Sequence, residues 1–242
     1  MAIKIYQDYE RLSQEAADEI IHTIKQKPDA VLCLATGDTP RLTYEILVQK
    51  ANTEKVDFSK VSFVALDEWV GIPPENAGSC FFFLNNNVFK PLGVKAEQTY
   101  LFDALSEDLP SECAKMDSVI DQRGGIDLML VGVGMNAHVG FNEPGVREDL
   151  KTHVVELDAT TQTVGQKYFS QTAKLKHGIT LGLVHFLNSR KALMLASGRK
   201  KAEVMRRALE GPISTDVPAS IIKKHQRGIV MLDEEAASSL KN

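Results

Sequence analysis

The chain has 242 residues, of which 43% are hydrophobic and 25% are charged, a composition that can bury a sizeable core and excludes an intrinsically disordered protein. Its formal net charge of -4 argues against a general nucleic-acid-binding protein, because neutralising a phosphate backbone needs a basic surface. It has no run of about 18 apolar residues, so no membrane span is predicted.

The N-terminal residues and the cysteines bear on the cellular compartment. Residues 1–6 lack the charged-then-apolar pattern of a signal peptide. Cys33, Cys80 and Cys113 are odd in number and have no metal-site spacing, which suits a reducing environment. A cytoplasmic location is therefore predicted.

Short apolar runs alternate along the chain with longer amphipathic stretches. The runs, typical of strands buried on both faces of a parallel sheet, span residues 30–35, 61–66, 126–131, 192–196 and 229–232. Helices are predicted over residues 8–27, 41–52, 79–89, 108–123, 160–169 and 199–210, and an edge strand near residues 152–157. This order predicts an α/β fold with a doubly wound, mostly parallel sheet and helices on both faces, in one domain over residues 1–242.

The segment Leu-Ala-Thr-Gly-Asp-Thr-Pro, residues 34–40, follows the first of these strands and opens a helix. Thr39 is a candidate N-cap, and free backbone N–H groups at a helix start attract phosphate or carboxylate. An ordinary strand–turn–helix corner is the equally open alternative. Asp38 counts against phosphate unless its carboxylate turns outward.

Two adjacent carboxylates, Asp67 and Glu68, close the strand at residues 61–66. They are either solvated loop acids or a general acid/base pair at the floor of a ligand-binding crevice at the carboxyl ends of the strands. Burial there would raise a carboxyl pKa towards a value useful for proton transfer. Trp69, the only tryptophan, is interpreted as core or pocket wall.

The loop at residues 132–145 holds Asn136, His138 and Glu143 within eight residues. Its glycines do not form a dinucleotide-binding fingerprint, since the third glycine is missing and no helix continues. Imidazole titrates near neutrality, so His138 can move a proton, although a structural loop histidine remains the alternative. No histidine pair has metal-site spacing, and neither a metal nor an organic cofactor is predicted.

A basic run, Arg199 to Lys201, follows a later strand and begins a helix. Cations there are poorly placed for the helix dipole but well placed to receive an anion. A solvated basic helix face is the common alternative. The position at the carboxyl end of a strand favours a phosphate contact.

Taken in order, the segments LATGDTP, LDEW, GVGMNAHVGFNEPG, SGRKKA and VPAS resemble the glucosamine-6-phosphate deaminase/isomerase family, to which galactosamine-6-phosphate isomerases and, more remotely, 6-phosphogluconolactonases belong. The resemblance covers residues from 29 to the last strand. Trp69 and the Gly78-Ser79-Cys80 step look closer to the galactosamine-6-phosphate isomerases. Conversion of galactosamine 6-phosphate to tagatose 6-phosphate and ammonia is the function this implies; glucosamine 6-phosphate is the alternative substrate.

The resemblance also implies roles for individual residues. Asp67 would transfer the proton between C2 and C1, and His138 would carry a proton to the ring oxygen. Glu143 and Asn136 would orient that histidine. Phosphate would be held by Thr36, Gly37, Asp38, Thr39 and Lys201, with Lys167 in place of the arginine that glucosamine enzymes usually carry.

The chain departs from the family pattern at three positions. Many relatives have a small residue in place of Asp38, lysine at 167 loses the bidentate fork of arginine, and Asn136 is an aspartate in some members. A lactonase-like hydrolase and a non-catalytic sugar-phosphate sensor are the remaining alternatives. The expected partner is a small amino-sugar phosphate, and a homo-oligomer is compatible with the sequence, which does not define the oligomeric state.

Overall fold

The computed structural model describes residues 1–241. Two sheets are present, and their ten strands are, in chain order, β1 Ala2–Tyr6, β2 Val31–Leu34, β3 Ser62–Val64, β4 Asp67–Trp69, β5 Thr99–Tyr100, β6 Leu128–Gly132, β7 His153–Glu156, β8 His177–Thr180, β9 Ala192–Ala196 and β10 Gly228–Asp233. The larger sheet has seven strands in the order β1-β10-β9-β6-β2-β3-β5, and all its pairings are parallel.

Within residues 1–241 the α-helices are α1 Tyr9–Gln26, α2 Asp38–Glu54, α3 Cys80–Leu84, α4 Leu109–Gln122, α5 Ala159–Gly165, α6 Leu183–Asn188, α7 Ala202–Glu210 and α8 Glu234–Ala237. A π-helical turn at Asn85–Phe89 continues α3, and 3-10 turns lie at Ala96–Gln98, Gln166–Tyr168, Arg199–Lys201 and Pro218–Lys224. No helix within residues 1–241 has the length and apolar composition needed to cross a membrane.

The central strands are continuously apolar because helices cover both faces of the sheet. Every residue of β2 and β9 is buried, as parallel sheets of α/β proteins require. Helix α1 begins where the Asp8 carboxylate accepts a hydrogen bond from the Arg11 backbone N–H, and it buries one apolar face. The predicted doubly wound α/β fold is confirmed.

A second, three-stranded antiparallel sheet has the order β4-β8-β7. Only its edge strand β7 was expected, at residues 152–157. The prediction that Asp67 and Glu68 lie at the end of the preceding strand is wrong, because the chain leaves the large sheet after β3 and begins β4 at Asp67. Strands as short as β4, β5 and β8 carry too few residues for an apolar pattern to stand out.

The chain changes direction across the sheet between β2 and β6. From β2 it proceeds through β3 to β5 on one side, and from β6 through β9 and β10 on the other. In open α/β sheets such a point leaves a crevice at the carboxyl ends of the strands, where ligands bind. The loops after β2, β6 and β9 all begin there.

Candidate functional site

Asp67 lies at the start of β4 with its side chain buried (9% exposed). Its Oδ1 atom is 3.4 Å from the Cys80 Sγ atom. Burial raises the pKa of Asp67 to about 7, the neighbouring Glu68 charge adds to the rise, and the Cys80 thiol opposes it. A carboxyl with a pKa near neutrality can accept and return a proton at physiological pH.

Glu68 points to the other face of β4 and is buried as well. Its carboxylate accepts backbone N–H hydrogen bonds from Trp69 and Cys80 at 2.9 Å and from Phe81 at 2.8 Å. It therefore satisfies the free N–H groups at the start of α3, which a helix cannot pair internally. Neither acid is a solvated loop acid, and the two have different surroundings.

His138 is held by three polar side chains. Its Nδ1 atom lies 3.0 Å from Thr161 Oγ1 and 3.3 Å from Glu143 Oε2. Asn136 donates to the same Glu143 oxygen at 2.7 Å and accepts from the His138 backbone N–H at 3.2 Å. A carboxylate beside Nδ1 favours a proton on that nitrogen, which leaves Nε2 for a substrate.

The negative charge of the Glu143 carboxylate allows it to hold the His138 proton on Nδ1. Burial alone would raise the pKa of Glu143, but hydrogen bonds from His138, Thr161 and Asn136 outweigh it, and the pKa lies below its usual range. The carboxylate thus stays negative and orients the imidazole. Its other oxygen, Oε1, is buried and has no hydrogen-bond partner among residues 1–241.

The backbone of this loop is fixed by hydrogen bonds. Ala137 has a positive φ of 73°, unusual for a residue other than glycine. Its N–H donates a hydrogen bond to the Gly134 carbonyl oxygen. Its own carbonyl accepts a hydrogen bond from the backbone N–H of Ala219, which belongs to the segment VPAS at residues 217–220. Gly134 lies directly beneath the imidazole, where a Cβ atom would be 2.4 Å from His138 Nε2. Glycine is required there because the ring covers the backbone.

The loop after β2 forms the second part of the site. Helix α2 begins at Asp38, with Gly37 at the N-cap position in a left-handed conformation (φ 108°) and no side-chain cap. The prediction that Thr39 caps this helix is therefore wrong, since Thr39 already lies in its first turn. The Tyr9 hydroxyl lies 3.0 Å from the Asp38 carbonyl oxygen and 2.9 Å from that of Thr39, and it fixes the turn.

Two lysines face this loop from distant parts of the chain. Lys167 Nζ is 2.6 Å from Asp38 Oδ2, and both side chains are about half exposed or more. Lys201 is more deeply placed and donates to the Val133 carbonyl at 2.6 Å. Burial and the nearby Lys167 charge, opposed by Asp38, lower the pKa of Lys201 to about 8. Its sequence neighbours Arg199 and Lys200 are exposed.

The structure joins these groups into one site. Asp67 pairs in register with Thr180 of β8, whose Oγ1 accepts from the Phe141 backbone N–H in the His138 loop. On the other side, Cys80 links Asp67 to Thr36 of the loop after β2. Trp69 packs on Phe141 with ring centroids 4.6 Å apart, as expected for a pocket wall or core residue.

Three contributors were not predicted from the sequence. Thr161 contacts both His138 and Asn136, Cys80 contacts Asp67, and Tyr9 contacts the first turn of α2. Each is separated by many residues from its partner. No short-range pattern identifies them, because the contact depends on how the helices lie on the sheet.

Known proteins resemble this chain along most of its length. Residues 7–231 match the family described as glucosamine-6-phosphate isomerases/6-phosphogluconolactonase. The chain is 40% identical over 239 residues to glucosamine-6-phosphate deaminase 1 of Bacillus subtilis, covering 98% of this chain and 99% of that protein. It is 39% identical over 241 residues to glucosamine-6-phosphate deaminase of Clostridioides difficile, covering 99% and 97%.

Solved structures give the same result. A structure described as a monomeric glucosamine-6-phosphate deaminase superposes with a TM-score of 0.95 at 40% identity, covering 99% of this chain and 100% of that one. A 6-phosphogluconolactonase from Thermotoga maritima superposes at 0.76 with 20% identity, covering 96% and 99%, which is a likeness of fold alone. The predicted enzyme class is confirmed, and the chain belongs to the family of glucosamine-6-phosphate isomerases and 6-phosphogluconolactonases.

Proposed function

We propose that the chain is a deaminating aldose–ketose isomerase that converts glucosamine 6-phosphate to fructose 6-phosphate and ammonia. The observation that carries the proposal is Asp67, a buried carboxyl with a pKa of about 7 that is connected through Thr180 to the His138 loop and through Cys80 to the loop after β2. Proton transfer beside a carbonyl or imine carbon needs such a base.

In the proposed reaction His138 and Asp67 act on different atoms. Nε2 of His138 accepts the proton of the C1 hydroxyl and delivers it to the ring oxygen, so the bond between C1 and the ring oxygen breaks and the sugar opens to the aldehyde. Asp67 takes the proton from C2 and returns it to C1, which leaves an imine at C2. Water adds to that imine, and ammonia leaves as the C2 ketone forms. The shift from C2 to C1 is balanced by a proton that passes from the amino nitrogen to the C1 oxygen, and the last step forms a C–O bond to water as the C–N bond breaks, with no net change of oxidation state.

The proposed phosphate subsite consists of the turn before α2 and the two lysines. Backbone N–H groups of residues 37–39 lie at the N-terminus of the 17-residue helix α2, which favours an anion. Lys201 and Lys167 add positive charge there, and Thr36 and Thr39 add hydroxyl groups.

Glucosamine 6-phosphate and galactosamine 6-phosphate differ only in configuration at C4, and the choice between these two substrates rests on the relatives. Those at 37–40% identity are described as glucosamine-6-phosphate deaminases, and the galactosamine preference expected from the motifs has no support among them. Galactosamine 6-phosphate remains the second candidate substrate. The residue types at positions 69 and 80 look closer to those of the galactosamine-6-phosphate isomerases, and Trp69 and Cys80 both lie at the site.

The function is tested by measuring ammonia release from the two amino-sugar phosphates in parallel, with hydrolysis of 6-phosphogluconolactone as a third assay. We expect ammonia from both epimers, with a higher kcat/KM for glucosamine 6-phosphate. A preference for the galacto epimer would reverse the substrate choice and keep the mechanism. Lactone hydrolysis without ammonia release would refute the mechanism.

The contact between Gly134 and His138 gives a prediction for this reaction. Gly134→Ala places a methyl group within the imidazole ring position, so the ring must turn away from Thr161 and Glu143. We expect kcat/KM to fall by about 100-fold, the cost of displacing a catalytic group by about 1 Å. Gly132→Ala is the matched control, since nothing lies within 4 Å of its Cβ position. Equal activities of the two variants would contradict the role of His138.

Asp38 gives a second prediction, on affinity. Its carboxylate neutralises Lys167 at the proposed phosphate subsite. Asp38→Asn removes that competitor and frees the lysine, so we expect KM for the sugar phosphate to fall by about fivefold at low salt, with less effect at high salt. Asp29→Asn, an exposed acid before β2 at the opposite edge of the sheet, should leave KM unchanged. A raised KM in Asp38→Asn would show that Asp38 positions Lys167 instead.

A further inference from the structure

Cys80 occupies a place between the two halves of the site. It is the first residue of α3 and is 6% exposed. Its Sγ atom lies 3.4 Å from Asp67 Oδ1 and 3.5 Å from Thr36 Oγ1. Its backbone N–H donates to Glu68 at 2.9 Å, which fixes the residue relative to β4. The thiol therefore bridges the proposed base and the proposed phosphate loop.

The direction of these hydrogen bonds follows from the charges. Burial and the nearby carboxylates of Glu68 and Asp67 hold the pKa of Cys80 well above its usual range, so the thiol keeps its proton. An ionised Asp67 can only accept, so the thiol S–H donates to Oδ1. The sulfur in turn accepts from the Thr36 hydroxyl. A three-membered chain then runs from Thr36 through Cys80 to Asp67.

We propose that Cys80 is a positioning residue for Asp67: its thiol holds the carboxylate in place and transmits the orientation of the Thr36 hydroxyl in the phosphate loop to the base. The proposal rests on the proposed function, in which Asp67 is the base. It assigns no nucleophilic or redox step to the sulfur.

The chemistry of sulfur suits this position. A thiol is a weak hydrogen-bond donor, so it orients the carboxylate while stabilising its charge only slightly. A strong donor at the same place would stabilise the carboxylate further and make it a poorer base. The Thr36 hydroxyl polarises the thiol and strengthens its donation, since hydrogen bonds in a chain reinforce one another.

The test compares Cys80→Ala and Cys80→Ser with the wild type by two readouts. One is the acidic limb of the kcat/KM profile, and the other is the titration of the Asp67 carboxyl by carbon-13 NMR, its signal assigned from its loss in Asp67→Asn. We expect the pKa of Asp67 obtained from each measurement to be higher by about half a pH unit in Cys80→Ala than in the wild type, and to be lower in Cys80→Ser. Cys113→Ala is the control, because it removes another buried thiol, in α4, and it should leave both pKa values unchanged.

The link to Thr36 is tested by a double-mutant cycle. Thr36→Val should raise the NMR titration midpoint of Asp67 in the wild-type background and leave it unchanged when Cys80 is alanine. Equal shifts in both backgrounds, or an unshifted midpoint in Cys80→Ala and Cys80→Ser, would overturn the proposal. These outcomes are separate from a failure of the proposed function, which would show as absent ammonia release by the wild type or as near-normal ammonia release by Asp67→Asn.

Discussion

Asp67→Asn is expected to lower kcat for ammonia release by about three to four orders of magnitude, because an amide cannot take the C2 proton. The change keeps the size and an acceptor oxygen for the Cys80 thiol, so substrate binding should change little and KM should stay within about threefold of the wild type. Steady-state ammonia release, together with exchange of the C2 hydrogen with deuterated solvent, measures the effect on the proton transfer itself.

Two controls accompany this substitution. Asp29→Asn makes the same chemical change at an exposed position before β2 and should be fully active. Hydrolysis of 6-phosphogluconolactone, if present, needs no base at C2 and should survive Asp67→Asn. Near-normal ammonia release by Asp67→Asn would remove Asp67 from the mechanism.

The same carboxyl sets the expected pH dependence. The free enzyme is active with Asp67 ionised, so kcat/KM should fall as pH drops below about 7. Lys201 is proposed to bind the phosphate only while its ammonium group is protonated, so kcat/KM should also fall as this group loses its proton above about pH 8. The profile should be a narrow bell between these values, and Lys201→Met should remove the alkaline limb while raising KM.

Burial of Asp67 also has a cost in stability. The pKa is raised on folding, so the group favours the folded state only while protonated, and that contribution is lost as pH rises from about 4 through about 7. Asp67→Asn should therefore be more stable than the wild type at pH 8, by up to roughly 4 kcal/mol, and equal to it near pH 4. Denaturant unfolding at the two pH values measures this difference.

Glu68→Ala is expected to lower the free energy of unfolding by about 3 to 5 kcal/mol, because it leaves three backbone N–H groups without their acceptor: those of Cys80 and Phe81 at the start of α3 and that of Trp69 in β4. The freed helix end also carries Cys80, so activity should fall together with stability. Thermal and denaturant unfolding measure the first effect, and kcat/KM measures the second.

Glu68→Gln distinguishes the hydrogen bonds from the charge. Glu68 Oε1 accepts from Trp69 and Cys80, and Oε2 accepts from Phe81. Glutamine keeps one acceptor oxygen and sets an NH₂ group against the third N–H, so its loss of stability should lie between those of the wild type and Glu68→Ala. Glu75→Ala, an exposed acid in the adjoining loop, should change little. A stable Glu68→Ala would show that water replaces the carboxylate.

Five strands of the large sheet, β2, β3, β6, β9 and β10, and the loops that follow them could be predicted from the sequence, whereas the edge strands β1 and β5 could not. Runs such as residues 192–196 are apolar throughout because both faces of a central parallel strand are covered, and this pattern is visible in the chain. Residues at the carboxyl ends of such strands share one edge, so the loops holding Thr36, His138 and Lys201 could be placed together from the sequence.

Which side chains meet in the site follows from the packing of distant parts of the chain. Lys167 lies 129 residues from Asp38, and Cys80 lies 44 residues from Thr36, so no short-range spacing links them. Asp67 and Glu68 are adjacent in sequence, yet one contacts the Cys80 thiol and the other the backbone N–H groups at the start of α3, because successive side chains of a strand point to opposite faces. The separate roles of two neighbouring carboxylates thus follow from a short strand that the apolar pattern did not reveal.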